Sequence, residues 1–240
     1  MRLIYLTVFL LAAAICGSGQ RVIDVSKESY SAYIDGQAMS GVNGLTYSAV
    51  KFVRVTSGTP FFKDEFMKGT VVLPEGKAIS GVRIRLNLVD NQVNYLNSSG
   101  QEMVATNPIK NVILTDTISG TQYYFVYLEE LKLQDKIFQK VWLQVLVNDK
   151  VSLCCQFRKR IHEITAYGSA TTEQEILTDY VYLVKVGGEF RVVYKIDELP
   201  DLFKDKKEQV SQYIHTNHLK GRSADDFTQV VKYYNSLENG

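Results

Sequence analysis

Between about Ser48 and Ile196 the chain alternates apolar and polar positions with a period of two, which predicts strands that each bury one face. Val82, Ile84, Leu86 and Leu88 alternate with Arg83, Arg85 and Asn87, so that strand is expected to have one wet side. Val141, Leu143, Val145 and Val147 form a second stripe, separated by Asn148-Asp149-Lys150 from Val151, Leu153, Cys155 and Phe157. These two runs read as a hairpin, because Asn and Asp tolerate the left-handed backbone that tight turns need. Tyr180, Tyr182, Val184 and Val186 lead into Gly187-Gly188, and Phe190, Val192, Tyr194 and Ile196 lead away. This is the strongest hairpin signal in the chain, since paired glycines reach positive φ without a steric cost.

Leu73-Pro74-Glu75-Gly76, Val89-Asp90-Asn91-Gln92, Asn97-Ser98-Ser99-Gly100 and Ser119-Gly120 interrupt the other apolar runs. The run Tyr123 to Leu128 is apolar on both faces and is expected to lie centrally, covered on each side. The fold class read from this pattern is mainly β within α+β: an antiparallel meander forming a sandwich or a strongly curved sheet. At about Asp197 the period changes. Leu202, Phe203, Val210, Tyr213 and Ile214 fit one helical stripe, and Phe227, Val230, Val231, Tyr234 and Leu237 fit another. Lys220-Gly221-Arg222 breaks them, and Ser223 is placed as an N-cap with Asp226 at the capping-box position. Such a helical pair has to dock its apolar stripes on the sheet or on a partner.

The N-terminus adds an address. Arg2, the apolar run Leu3 to Cys16 and the small residues Gly17-Ser18-Gly19 read as a secretory signal peptide. Its run of about 14 residues is short of the roughly 20 that cross a bilayer as a helix, and no second such run follows. A lipid anchor on Cys16 is the less favoured variant, because Ile15 stands where a small residue is wanted. The organisation expected is 1–19 signal peptide, 20–47 N-terminal arm, 48–196 antiparallel β domain and 197–240 C-terminal helical pair.

Composition narrows the partners. Beyond residue 19 the chain balances 26 basic against 26 acidic side chains, so it has no field to hold a polyanion, and no nucleic-acid partner is expected. Hydrophobic residues at 45% and charged residues at 22% are ordinary for a folded domain. Cys154 and Cys155 are the two cysteines past the signal, and as neighbours on a strand they point to opposite faces, which favours packed thiols over a strained bridge. His215 and His218 lie three apart at a helix end without an obvious third ligand, and His162 lies about 23 Å from Cys155 along an extended strand. Neither set is assigned a metal or a catalytic role.

Arg158, Lys159, Arg160 and His162 form the densest basic patch and read as a solvated strand end. The tyrosines in strands fit β propensity, and a sugar platform would need about three on one exposed face. Asn97-Ser98-Ser99 is a glycosylation sequon. Asp64, Glu65, Asp90, Asp116, Glu129 and Glu130 are carboxylates that glycoside hydrolysis could use if two met at a suitable separation. The chain has no Gly-x-Ser-x-Gly elbow, phosphate-binding glycine loop, His-Glu-x-x-His or calcium loop.

The Gly58-Thr59-Pro60-Phe61-Phe62 loop leading to Lys68-Gly69-Thr70-Val71, together with the tail Asp205-Lys206-Lys207 through Asp225-Asp226-Phe227 to Tyr233-Tyr234-Asn235-Ser236-Leu237, resembles a broad family of uncharacterised exported proteins of Gram-negative bacteria. The resemblance implies an envelope location and a β domain closed by a helical pair, with no reaction and no catalytic residue. The function expected is a non-enzymatic binding or structural β domain, exported to the periplasm or beyond, with no catalytic, cofactor-binding or metal residue assigned. The alternative is a hydrophobic-ligand (lipid) carrier or sensor, a half-barrel sheet closed by helices. An outer-membrane barrel is disfavoured by the helical tail.

Overall fold

The computed structural model describes residues 22–24, 44–46, 53–133, 136–164 and 172–238. The signal peptide read over 1–19, Cys16 and most of the arm read over 20–47 lie outside them. Thirteen strands form one open sheet: β1 (Val22–Asp24), β2 (Gly44–Thr46), β3 (Val53–Ser57), β4 (Met67–Val72), β5 (Ala78–Asn87), β6 (Gln92–Leu96), β7 (Glu102–Ala105), β8 (Asn111–Thr115), β9 (Gln122–Leu133), β10 (Lys136–Val147), β11 (Ser152–Ile164), β12 (Thr172–Val186) and β13 (Glu189–Val193). Helices α1 (Leu199–Leu202), α2 (Lys207–Thr216) and α3 (Ala224–Glu238) follow.

The strand order is β13-β12-β11-β10-β9-β8-β4-β5-β6-β7-β2. The meander expected from the pattern is thus two meanders, β4 to β7 and β8 to β13, joined where β8 returns to pair with β4. Two parallel additions make the sheet mixed: β1 lies beside β5, and β3 lies beside the start of β12. Periodicity cannot report these pairings, because they join strands far apart in the chain.

Of the two arrangements left open, sandwich or curved sheet, the second is formed. Trp142 Nε1 of β10 donates to the Asn91 carbonyl at the β5–β6 turn over 3.3 Å, although three strands separate β10 from β5 in the order. A flat sheet would hold those strands about 19 Å apart. The other half bends toward the opposite face, where β13 touches β9 across three intervening strands.

Local irregularities permit this. Gly69 faces a register shift between β4 and β5, and a Cβ there would lie 2.2 Å from Ile84 Cδ1, so a larger residue would force the strands apart. Lys140 takes φ 56, and past it the buried positions change parity, from Val141, Leu143 and Leu128 to Phe138, Leu131 and Leu133.

The core divides by face. Ile79, Ile84, Leu86, Val93, Val112, Leu114, Phe125 and Trp142 form one cluster. On the same face farther along, the helices bury Leu199, Phe203, Val210, Ile214, Phe227, Val230, Val231 and Tyr234 against Val147, Leu153, Val184 and Val193. We call this the helix face. The far face carries the third cluster, with Leu131, Val141, Leu143, Cys154 and Leu183 packed with Phe190 and Val192. Stacked rings fix the helices: Phe203 on Tyr234 and Tyr213 on Tyr233, each with centroids 4.0 Å apart, and Phe227 on Tyr182 of the sheet at 4.1 Å.

Several local expectations are corrected. The wet side of β5 is wet only at Arg83: Arg85 is half-buried, and Asn87 is buried because its Oδ1 accepts from the Val89 and Asp90 amides, at 3.0 Å each, to shape the next turn. β9 is central in the order with Phe125 fully buried, but Tyr124 on its other face is 38% exposed. β13 stops at Val193, leaving Tyr194 exposed, and Ile196 turns under the helices. The stripe read as one helix from Leu202 to Ile214 is broken at Phe203, whose φ −104 and ψ 57 let the ring drop onto Tyr234. Residues 22–24 and 44–46, inside the segment read as an arm, join the sheet as β1 and β2.

The Gly187-Gly188 turn is as expected: φ is 58 and 91, and Val186 pairs with Glu189. The cap of α3 also forms. Asp226 N donates to Ser223 Oγ at 3.2 Å, while the Asp226 carboxylate accepts from the Arg222 amide at 2.9 Å, one residue earlier than a longer Glu would reach.

Candidate binding surface

The residues of the loop after β3 fasten the two halves of the sheet together. Gly58 takes φ 74 against β12, where an added Cβ would lie 1.9 Å from the Ile176 carbonyl oxygen. Thr59 Oγ1 donates to Asp64 and accepts from the Phe61 amide at 3.1 Å, closing the turn. Phe61 then bridges to Asn87 in strand fashion, so Phe61 and Phe62 point to opposite sides. Phe62 enters the helix face and meets Tyr123, Phe125 and Phe157 edge-on, with centroids 4.9 to 5.1 Å away.

Phe61 lies 3.7 Å from the Arg85 guanidinium, which also covers Phe66 at 4.6 Å. Arg85 Nη2 donates to both oxygens of Glu102, at 2.8 and 2.7 Å, and Nη1 to the Asp64 carbonyl at 3.2 Å. Asn94 Nδ2 donates to the same carboxylate at 2.6 Å. A guanidinium held by Glu102, the Asp64 carbonyl and two aromatic rings is largely committed within the chain, so this cluster is a latch and not a ligand site.

The carboxylates are engaged by neighbouring donors, and two of them meet only across a lysine. Glu65 and Asp116 share Lys63, at 4.0 and 3.5 Å, while Asp90 holds Asn87, and Glu130 accepts from Lys132 and Gln139. Amide donation from Ile118 and Ser119 holds the Asp116 carboxyl below its ordinary range, and the Lys132 hydrogen bond does the same for Glu130. A general acid for glycoside hydrolysis needs the opposite shift.

Cys154 and Cys155 are both free and buried on opposite faces of β11, and desolvation pushes their thiols up to about 11 and about 12. That is the reverse of an activated nucleophile. His162 Nδ1 faces Glu175 at 3.7 Å across the β11–β12 pair, away from the cysteines. His215 lines a cleft of about 310 Å³ with Asp197, Pro200, Ser211 and Ile214, but no hydrogen bond joins Ser211, His215 and Asp197, so the three do not form a relay. Among the described residues no three His, Cys, Asp or Glu side chains converge as a metal site. Nor do the exposed tyrosines make a platform: Tyr124 and Tyr180 lie on opposite faces, and Tyr194 follows β13.

What sequence reasoning missed is an edge. β10 and β11 pair only through Gln144, Val145 and Val147 with Cys155, Cys154 and Leu153, because the distal half of β10 bends away over the far face. From Gln156 to Ile164 β11 is paired with β12 alone among the described residues, and β3 flanks the start of β12. Two long strands, flanked by β3 along the start of β12, therefore continue past the β10–β11 pairing as a ribbon.

Several of its charged side chains are hydrogen-bonded in place, to a carboxylate or to neutral groups. Arg160 Nε and Nη2 donate to Asp179 at 2.5 and 3.0 Å, Glu163 accepts from Gln174 at 2.6 Å, and Lys159 Nζ donates to Thr178 at 3.0 Å on the helix face. The basic patch is split between faces by strand alternation. Of the nine large apolar or aromatic residues that are exposed among the described residues, five lie on this ribbon or on β3: Val55, Ile161, Ile164, Leu177 and Tyr180. The signal for them was in the sequence as alternation continuing past Phe157, but the pattern alone did not say that no described strand other than β12 pairs with β11 there.

No family model, curated protein or solved structure matches this chain. The class that fold and surface define is a mixed β-sheet protein with docked C-terminal helices and a two-stranded ribbon. No helix among the described residues is long and apolar enough to cross a membrane.

Proposed function

We propose that this chain is an exported, non-enzymatic binding domain that contacts a protein of the cell envelope through the outer half of the β11–β12 ribbon. The observation that carries the reading is the concentration of exposed Ile161, Ile164 and Leu177 on an element whose Arg160 and His162 already face their own carboxylates, Asp179 and Glu175. Apolar side chains on a preorganised ribbon are free to desolvate against a partner, whereas an equally exposed residue on a mobile loop would first have to be ordered. The signal-like N-terminus and the resemblance to exported Gram-negative proteins support the location. Against the lipid-carrier alternative stands the filling of the helix face by the protein itself: Phe62, Phe125 and Phe157 occupy one part, and Phe203, Phe227 and Tyr234 the other.

A photo-crosslinking residue placed at Ile161 or Leu177 in expressing cells is expected to yield discrete adducts, with none from the exposed turn residue Glu75. Adducts from neither ribbon site overturn the reading. Export is checked by the mass of the isolated protein, which is expected to begin at Gln20; a chain retaining Met1 overturns it.

A further inference from the structure

The open edge of β11 has a pattern that complements itself. We infer that β11 pairs antiparallel with β11 of a second copy of this chain, with Ile161 on the two-fold axis. The inference rests on the reading of the ribbon as the contact surface and names its partner.

A two-fold axis that joins two edges into one continuous sheet stands normal to the sheet, so the residue on the axis faces its own copy and side chains on one face meet side chains on the same face. The register is then decided by charge. An axis at Arg160 would set Arg160 against Arg160 and Arg158 against His162. An axis at Lys159 would oppose two lysines, with Arg158 against Arg160. An axis at His162 would pair Ile161 with Glu163 and leave Lys159 beyond the last paired residue.

With the axis at Ile161, Lys159 of each copy faces Glu163 of the other, two opposite-charge pairs flanking an apolar centre on the helix face. Neither residue has a carboxylate or cation of its own chain within 4.0 Å among the described residues: Lys159 is bonded to Thr178 Oγ1, with Asp64 acting on it from farther away, and Glu163 is bonded to Gln174. On the other face Arg160 meets His162, and each brings its own carboxylate, Asp179 and Glu175. Arg158, whose guanidinium lies over the Phe138 ring of β10 with 5.1 Å to its centroid, comes opposite Ile164. Ile161, 44% exposed in the single chain, is covered by its own copy, and the row of unpaired backbone groups that makes an open edge costly in water is satisfied.

The experiment uses the purified exported chain carrying Ile161→Cys, with Leu177→Cys as the control one strand inward. Cys154 and Cys155 are buried and stay unmodified in both. Facing Cβ atoms in such a pair are about 5 Å apart, within reach of a short bismaleimide, whereas position 177 is three inter-strand spacings, about 14 Å, from its copy. A covalent dimer from position 161 and none from position 177 is expected.

Sedimentation then reads the charges. Glu163→Lys, and separately Lys159→Glu, should each weaken dimerisation by roughly tenfold, and the double exchange should restore it to within about threefold. Melting curves of the two single variants confirm that they fold, and Glu163→Lys alone suffices if Lys159→Glu does not. A chain that stays monomeric, crosslinks at 177 in place of 161, or is not rescued by the double exchange overturns the inference. If the ribbon still forms adducts of another mass in cells, the binding reading survives that failure; if it forms none, both fall.

Discussion

Replacing Asn235 with Ala should destabilise the protein more than its single polar side chain suggests, because two buried backbone groups depend on it. Asn235 Oδ1 accepts from the Val151 amide at 3.0 Å, and its Nδ2 donates to the Val151 carbonyl at 2.8 Å. Both residues are 3% exposed. The amide thus completes the β10–β11 turn from α3 in the way a neighbouring strand would, and ties the helix to the sheet. A buried donor or acceptor without a partner costs ~1–3 kcal/mol, so losing both costs roughly 2–6 kcal/mol, with the lower value applying if a water enters the vacated space. With a urea slope of about 2 kcal/mol/M, the lower bound already moves the unfolding midpoint down by about 1 M. Equilibrium urea unfolding followed by tryptophan fluorescence is suitable, since Trp142 is buried and is the only tryptophan in the chain. Asn235→Asp should be no better than Ala, because the carboxylate brings a charge and loses the donor to the Val151 carbonyl. A midpoint within about 0.2 M of the parent for Asn235→Ala would refute the reasoning, meaning that α3 docks through its apolar stripe alone.

Two further outcomes follow from the packing. Burial raises Cys154 to about 11 and Cys155 to about 12, and Tyr182 likewise to about 12, so the folded state keeps protons that the unfolded state releases. Stability from the thiols is therefore fully present below pH 9 and is lost as pH rises toward 11–12, with Tyr182 adding to the loss above pH 10. Melting temperatures should fall progressively over that window, and iodoacetamide at pH 8 should label the cysteines only after denaturation; a flat melting profile to pH 11 or labelling of the native protein contradicts the burial argument. Gly58→Ala should cost about 1–2 kcal/mol for its φ of 74, with a further loss from pushing the loop off the Ile176 carbonyl. It should also expose the Phe62 cluster, read as greater dye binding near the midpoint, and an unchanged midpoint would show that the loop does not need this close approach.

How much was legible from residues alone depended on sequence distance. The Gly187-Gly188 hairpin and the Ser223 cap of α3 were readable because their geometry is set by backbone preferences within four residues, whereas the hairpin expected at Asn148-Asp149-Lys150 forms without the left-handed backbone expected there and is completed by Asn235 of α3. The helical stripe of α3 was readable for the same reason, since its buried positions recur every three or four residues. The burial of Asn87, the break at Phe203 and the clamp on Arg85 were not, because each answers to a partner elsewhere: a turn amide, the Tyr234 ring, and Glu102 with Phe61. The candidate surface was only half visible, its alternation plain and its lack of a second paired strand among the described residues hidden.

Periodicity and turn chemistry by themselves determined that this chain is mainly strands ending in a helical pair, because those signals arise from which side chains must leave water and which backbones may bend left-handed. Tertiary structure alone decided that β8 returns to β4, that β1 and β3 add in parallel, and that β10 parts from β11 beyond Cys155. A strand's alternation records that one face is buried but not against what, and its edges carry the same amide and carbonyl groups whatever the side chains. Which edge remains open is therefore settled only when the whole sheet has curved and taken its partners.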